Sequence, residues 1–164
     1  MARLYTILLF ALLVLVMPVE SAALSGNLTG LRKVSIVVKD LDRVEKELGL
    51  NEDELKAHVL VLLWSKLPRL AVSESGTPVV HVAPLIEFIK TEGGKKTGYY
   101  GFVLIRIVRR IIIVETSKDT EASVWGEAFS VIGPLDFGNA VNNVRGVLDR
   151  LLTEFAADWY RDNP

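Results

Sequence analysis

Between Tyr99 and Glu115 the chain reads YYGFVLIRIVRRIIIVE, its longest run of alternating apolar positions. Phe102 to Val114 is apolar except at Arg106, Arg109 and Arg110, and it is rich in β-branched residues. Period two with that composition predicts a long sheet strand. Tyr99, Val103, Ile105, Ile107, Ile111 and Ile113 fall on one face, suited to a core. Tyr100, Phe102, Leu104, Arg106, Val108, Arg110, Ile112 and Val114 fall on the other, which is mixed.

The same periods place the other elements. Leu31–Lys39 is a first strand, with Val34, Ile36 and Val38 alternating against Lys33, Ser35, Val37 and Lys39. The charged stretch DLDRVEKELGL after it reads as a loop with about one helical turn. Asn51 with Glu54 has the form of a capping box, and Glu52 and Asp53 suit the positive end of a helix dipole. Leu55, Val59, Leu62 and Leu63 then recur at helical spacing, and Pro68 closes the helix by about Lys66. Arg69–Ser73 is a short second strand and Pro78–Lys90 a third. Pro84 lies inside the third and has no N–H for a ladder, which puts the strand at an edge or a bulge.

Glu92–Gly98 is a glycine-rich hairpin loop, and Thr116–Thr120 is the turn after the long strand. Ala122–Ile132 returns as a fifth strand, with Ser123, Trp125, Glu127, Phe129 and Val131 on one face. Asp136 caps a final helix whose apolar stripe runs from Phe137 through Val144, Leu148, Leu151 and Phe155 to Trp159. Gly146 inside it costs about 0.8–1 kcal/mol relative to alanine, which predicts close approach to a neighbour there. The order β-α-β-β-β-β-α predicts an α+β fold: a mostly antiparallel sheet of four to five strands with two helices packed on one face.

The start of the chain assigns a compartment. Arg3, the apolar run Leu4–Val16, Pro18 and the small residues Ser21-Ala22-Ala23 form the pattern of a secretory signal peptide. The uncharged run Leu4–Val19 is shorter than the ~20 residues of a spanning helix. We therefore expect a signal over 1–23, a flexible lead-in over 24–30 and a single domain over 31–164. A periplasmic or secreted location follows, with no integral membrane span after cleavage. The chain contains no cysteine, so neither a disulfide nor a lipid on a cysteine after the signal is available. With 19 Lys+Arg against 20 Asp+Glu, the composition lacks the basic field of a nucleic-acid binder.

Candidate chemistry is sparse. His58 and His81 are the only histidines, and neither has cysteine or clustered carboxylate at ligand spacing, so no metal or cofactor is expected. There is no Gly-x-Ser-x-Gly elbow, and Ser65, Ser73 and Ser75 specify no triad. Asp40 and Asp42 read as turn formers rather than a carboxylate pair. Gly93-Gly94-Lys95-Lys96-Thr97 echoes a phosphate loop without its full pattern or its following helix. No catalytic residue is assigned. Arg106, Arg109 and Arg110 suit either an acidic partner or protection of a β-prone run against aggregation. The mixed face carrying Tyr100, Phe102, Arg106 and Arg110 is the candidate binding surface.

Three segments resemble a group of small secreted bacterial proteins of unassigned function: LRKVSIVVKDLDRVEKELGLNEDEL, YYGFVLIRIVRRIIIVE with ASVWG after it, and the closing EFAADWYRDNP. The likeness spans roughly residues 31–164. It implies an α/β domain related in shape to the amino-terminal domain of the periplasmic translocation protein TolB, and it brings no catalytic residues. Arg109-Arg110 departs from that group, which tends to be polar and uncharged there. The function expected is a non-catalytic envelope domain for binding or assembly, acting on an envelope protein or on itself through its open sheet face or edge. The alternative is a carrier of a lipid or other apolar small molecule in a groove between sheet and helices.

Overall fold

The computed structural model describes residues 28–164. The expected signal segment and most of the expected lead-in lie outside them. The elements are β1 (Lys33–Val38), α1 (Arg43–Glu47), α2 (Glu52–Lys66), β2 (Ala71–Ser73), β3 (Val79–Lys90), β4 (Lys96–Ile113), β5 (Lys118–Pro134) and α3 (Phe137–Asp162). The fold is α+β, as the segregated pattern predicts, with five strands in the order β2-β1-β3-β4-β5. β1 pairs parallel with both β2 and β3, while the long ladders β3–β4 and β4–β5 are antiparallel. The helical turn expected after β1 is the separate short helix α1.

One apolar cluster fills the space between the sheet and the two long helices. Val34 and Ile36 of β1, Val80 and Val82 of β3, and Val103, Ile105 and Ile107 of β4 supply the sheet side. Leu55, Val59 and Leu63 of α2 and Val144, Leu148, Leu151 and Phe155 of α3 supply the other. Each large side chain fully buried this way is worth about 1.5–3 kcal/mol relative to exposure. The motifs of the closing EFAADWYRDNP stretch turn out to be fasteners. Trp125 Nε1 donates to Asp158 at 2.9 Å, Trp159 Nε1 donates to the Leu31 carbonyl at 2.7 Å, and Tyr160 Oη donates to the Lys66 carbonyl at 3.1 Å.

Asn51 caps α2 as predicted, accepting from the N–H groups of Asp53 and Glu54. Glu54 does not complete the box; its carboxylate accepts from Arg145 of α3 at 3.0 Å instead, tying the two helices together. Pro84 also finds its physical reason. β1 covers β3 only from Val79 to Val82, so Pro84 sits where that flank has already become a local edge. Two residues on, Ile86 N–H donates to the buried carboxylate of Glu45 on α1 at 3.0 Å, so α1 stands in for the missing strand.

Four details differ from the sequence pattern. First, the turn after β4 falls at residues 114–117 with Ser117 at φ 51°, and β5 begins at Lys118. Second, β3 ends opposite Val108, so β4 and β5 continue beyond it as a two-stranded arm. Ile111 and Ile113, assigned to the core by alternation, are exposed on that arm because no described element backs it. Third, Ile107 pairs with Trp125 and Val108 with Ser123, so Val124 is a bulged extra residue. The bulge moves Ser123 to the face opposite Trp125, and Val124 joins the core. Fourth, a Cβ on Gly146 would meet nothing within 4 Å, so no neighbour comes close there.

Leu28 to Gly30, the described end of the lead-in, is tied down. Leu28 is buried and its N–H donates to Asp162, while Asn163 accepts from Gly30 N–H at 2.8 Å and donates to the Leu28 carbonyl at 2.9 Å.

Candidate functional site

Because α2 and α3 both lie on one side, no described element covers the other side of β3–β4–β5. Strand alternation fills it with rows of paired residues. Gly126, Arg106 and His81 form one row, followed by Ala128, Leu104 and Ala83. Ser130, Phe102 and Leu85 form the third, and Ile132, Tyr100 and Glu87 the fourth. Leu85 is 45% exposed, Tyr100 51%, Phe102 55% and Ile132 70%. Large apolar groups exposed side by side make this face the candidate interaction surface.

Gly101 explains how tightly the two central strands of this face are set. A Cβ there would collide with the Leu85 carbonyl oxygen and come within 2.8 Å of Ile86 Cα. The backbone of β3 therefore occupies the space a side chain would need, and only glycine fits.

Charge on these four rows is confined to their ends. Arg106 and Glu87 have neither a hydrogen-bond nor an ion-pair partner among the described residues. They are separated by the two apolar rows. His81, paired with Arg106 across the ladder, is held below the usual imidazole range by partial burial and then by the Arg106 guanidinium, with Glu121 acting the other way.

Three of the four residues predicted for the binding surface come together here: Tyr100, Phe102 and Arg106. Arg110 shares their side but stands beyond the end of β3, on the arm, where its Nε meets Asp119 at 2.5 Å. Arg109 lies on the opposite side and donates to the Thr29 carbonyl at 3.4 Å. Sequence alternation missed Leu85, Ala83 and Ile132 as members of the surface, because pairing register is not written in any one strand. The arm itself carries Ile112 and Val114, 69% and 85% exposed.

The remaining candidates fall apart in space or are otherwise engaged. Asp42 pairs with Lys39 at 3.2 Å. Lys96, from the phosphate-loop echo, is ion-paired with Glu47, whose carboxyl is held below its usual value by the hydrogen bonds from Lys96 and Arg43. Among the described residues no group of three or more His, Cys, Asp or Glu side chains could hold a metal ion. An open cleft of about 580 Å³ lies at the end of α3, where Arg69 stacks over Trp159 and reaches the Asn163 carbonyl at 3.4 Å. In the interface between sheet and helices, where a carrier would hold its ligand, Val103, Ile105, Ile107, Leu148, Leu151 and Phe155 are fully buried. No described helix is long and apolar enough to cross a membrane.

No family model matches the chain, and no curated protein matches it. Solved structures similar to it include a PelC dodecamer from Paraburkholderia phytofirmans, at 10% identity and a TM-score of 0.44, covering 79% of this chain and 90% of that one. A minor lipoprotein from Acinetobacter baumannii is similar at 10% identity and a TM-score of 0.37, covering 80% and 95%. Rare lipoprotein B from Shewanella oneidensis is similar at 12% identity and a TM-score of 0.30, covering 79% and 91%.

Proposed function

We propose that the chain is a non-catalytic binding or assembly domain of the cell envelope that acts through the open face of its sheet. The observation that carries this is the contiguous exposed set Leu85, Tyr100, Phe102 and Ile132 on a face that no described helix covers. The secretory pattern at the start of the chain supports the compartment, as does the resemblance to secreted proteins with a TolB-like shape. The apolar centre supplies the affinity, and Arg106 and Glu87 at its ends set the register of the partner.

Crosslinking the purified chain in an extract of envelope proteins tests this. Phe102→Asp and Arg106→Glu should each abolish the specific crosslinked species. Both side chains are exposed, so folding stability should stay within about 1 kcal/mol of the parent. Ile105→Asp, on the buried face of the same strand, should unfold the domain by burying an unpaired charge. Retention of every crosslinked species in both surface variants would remove the sheet face from consideration. Hydrolysis of esterase, phosphatase or glycosidase substrates by the pure protein would contradict the non-catalytic assignment.

A further inference from the structure

We infer that the occupant of the open face is the same face of a second copy, packed sheet on sheet about a two-fold axis that runs across the strands. This rests on the sheet face being the binding surface. The four rows are not alike: Gly126, Ala128 and Ala83 lie with Leu104 in the first two, while Leu85, Phe102, Tyr100 and Ile132 lie with Ser130 in the last two. A two-fold axis between the second and third rows, perpendicular to the strands, exchanges the first row with the fourth and the second with the third. It leaves β3 over β3 and β5 over β5.

On the two flanking strands large groups then meet small ones, while on β4 Phe102 of one copy meets Leu104 of the other. Leu85 of one copy stands over Ala83 of the other, and Ile132 stands over Gly126. The same rotation brings Glu87 over His81, beside Arg106, and Tyr100 over the Arg106 guanidinium. Both of the unpartnered charges on these rows thereby gain an opposite charge, twice, and the guanidinium gains an aromatic face. The face is thus self-complementary in charge, and in size at Leu85 and Ile132, as an isologous contact requires. A two-fold axis along the β4 strand direction would instead set Arg106 beside Arg106 and stack large rows on large rows. Sheets in face-to-face contact pack about 10 Å apart with strands inclined by about 30°, a gap that side chains of these sizes fill. Association through this face should depend on concentration.

Sedimentation equilibrium of the purified full chain over a dilution series tests the inference. We expect a reversible monomer–dimer equilibrium that Arg106→Glu and Glu87→Lys each weaken about tenfold or more. The double variant, which exchanges the two charges, should recover most of the parent affinity, with circular dichroism confirming that all three fold. A parent chain that stays monomeric at every concentration overturns the inference. So does a dimer indifferent to both single variants, or a double variant no better than the singles. The monomeric outcome leaves the sheet-face reading standing if Phe102→Asp still abolishes crosslinks to another envelope protein. If a dimer forms and both it and every crosslink survive Phe102→Asp, the two proposals fall together.

Discussion

Gly133 stands opposite Tyr99 in the β4–β5 ladder, and a Cβ on it would lie 2.5 Å from Tyr99 Oη. The glycine makes room for a fully buried ring whose hydroxyl accepts a 2.7 Å hydrogen bond from Asn143 of α3. One missing side chain in β5 thus lets β4 bond to the helix above it. Gly133→Ala should cost about 1–3 kcal/mol, measured by urea denaturation, because the ring has no free space to retreat into. Tyr99→Phe alone should cost about 1 kcal/mol for the lost hydrogen bond. It should not rescue Gly133→Ala, because the ring carbons at 2.7 and 3.0 Å remain in the way.

Gly146 behaves in the opposite way. It lies inside α3 with open space where its Cβ would be. Gly146→Ala should stabilise the protein by about 0.5–1 kcal/mol through helix propensity and a less free unfolded chain. A shift of the denaturation midpoint to higher urea with an unchanged slope is the expected signature.

Glu154 supplies a pH dependence. Burial raises its carboxyl above the ordinary value of 4.5, Glu127 and Asp158 add to the rise, and Arg150 opposes it. The folded chain therefore holds this proton more tightly than the unfolded one. The resulting stability is fully present below pH 4.5 and is lost as pH rises through the raised folded value. Glu154→Gln should accordingly melt higher than the parent at neutral pH, with the difference vanishing in acid. Thermal melts of both proteins across that range check the sign.

Much of the architecture is legible in the sequence because burial enforces periodicity. Val34 and Ile36 had to alternate, and the stripe from Val144 to Trp159 had to recur at helical spacing, since each lines one core. Alternation also separated Tyr100, Phe102 and Arg106 from the buried face correctly. It failed where local pattern and tertiary cover part company. Ile111 and Ile113 continue the pattern of a core strand after the core has ended, because β3 stops opposite Val108. The bulge at Val124 inverts parity with no mark in composition. The parallel partners of β1 and the row order of the open face are properties of pairing between strands, and only the folded sheet shows them.

The clasp between Leu28 and Asn163 has a consequence for how much the chain's own order matters. A hydrogen bond joins these two residues 135 positions apart, so the described chain is already nearly a closed ring. Joining its ends there with a few glycines, and reopening it in the tight turn from Thr91 to Lys95, would leave every strand ladder intact. The ladders of the described segment thus do not depend on an opening between Leu28 and Asn163, and a break at the β3–β4 turn would replace it.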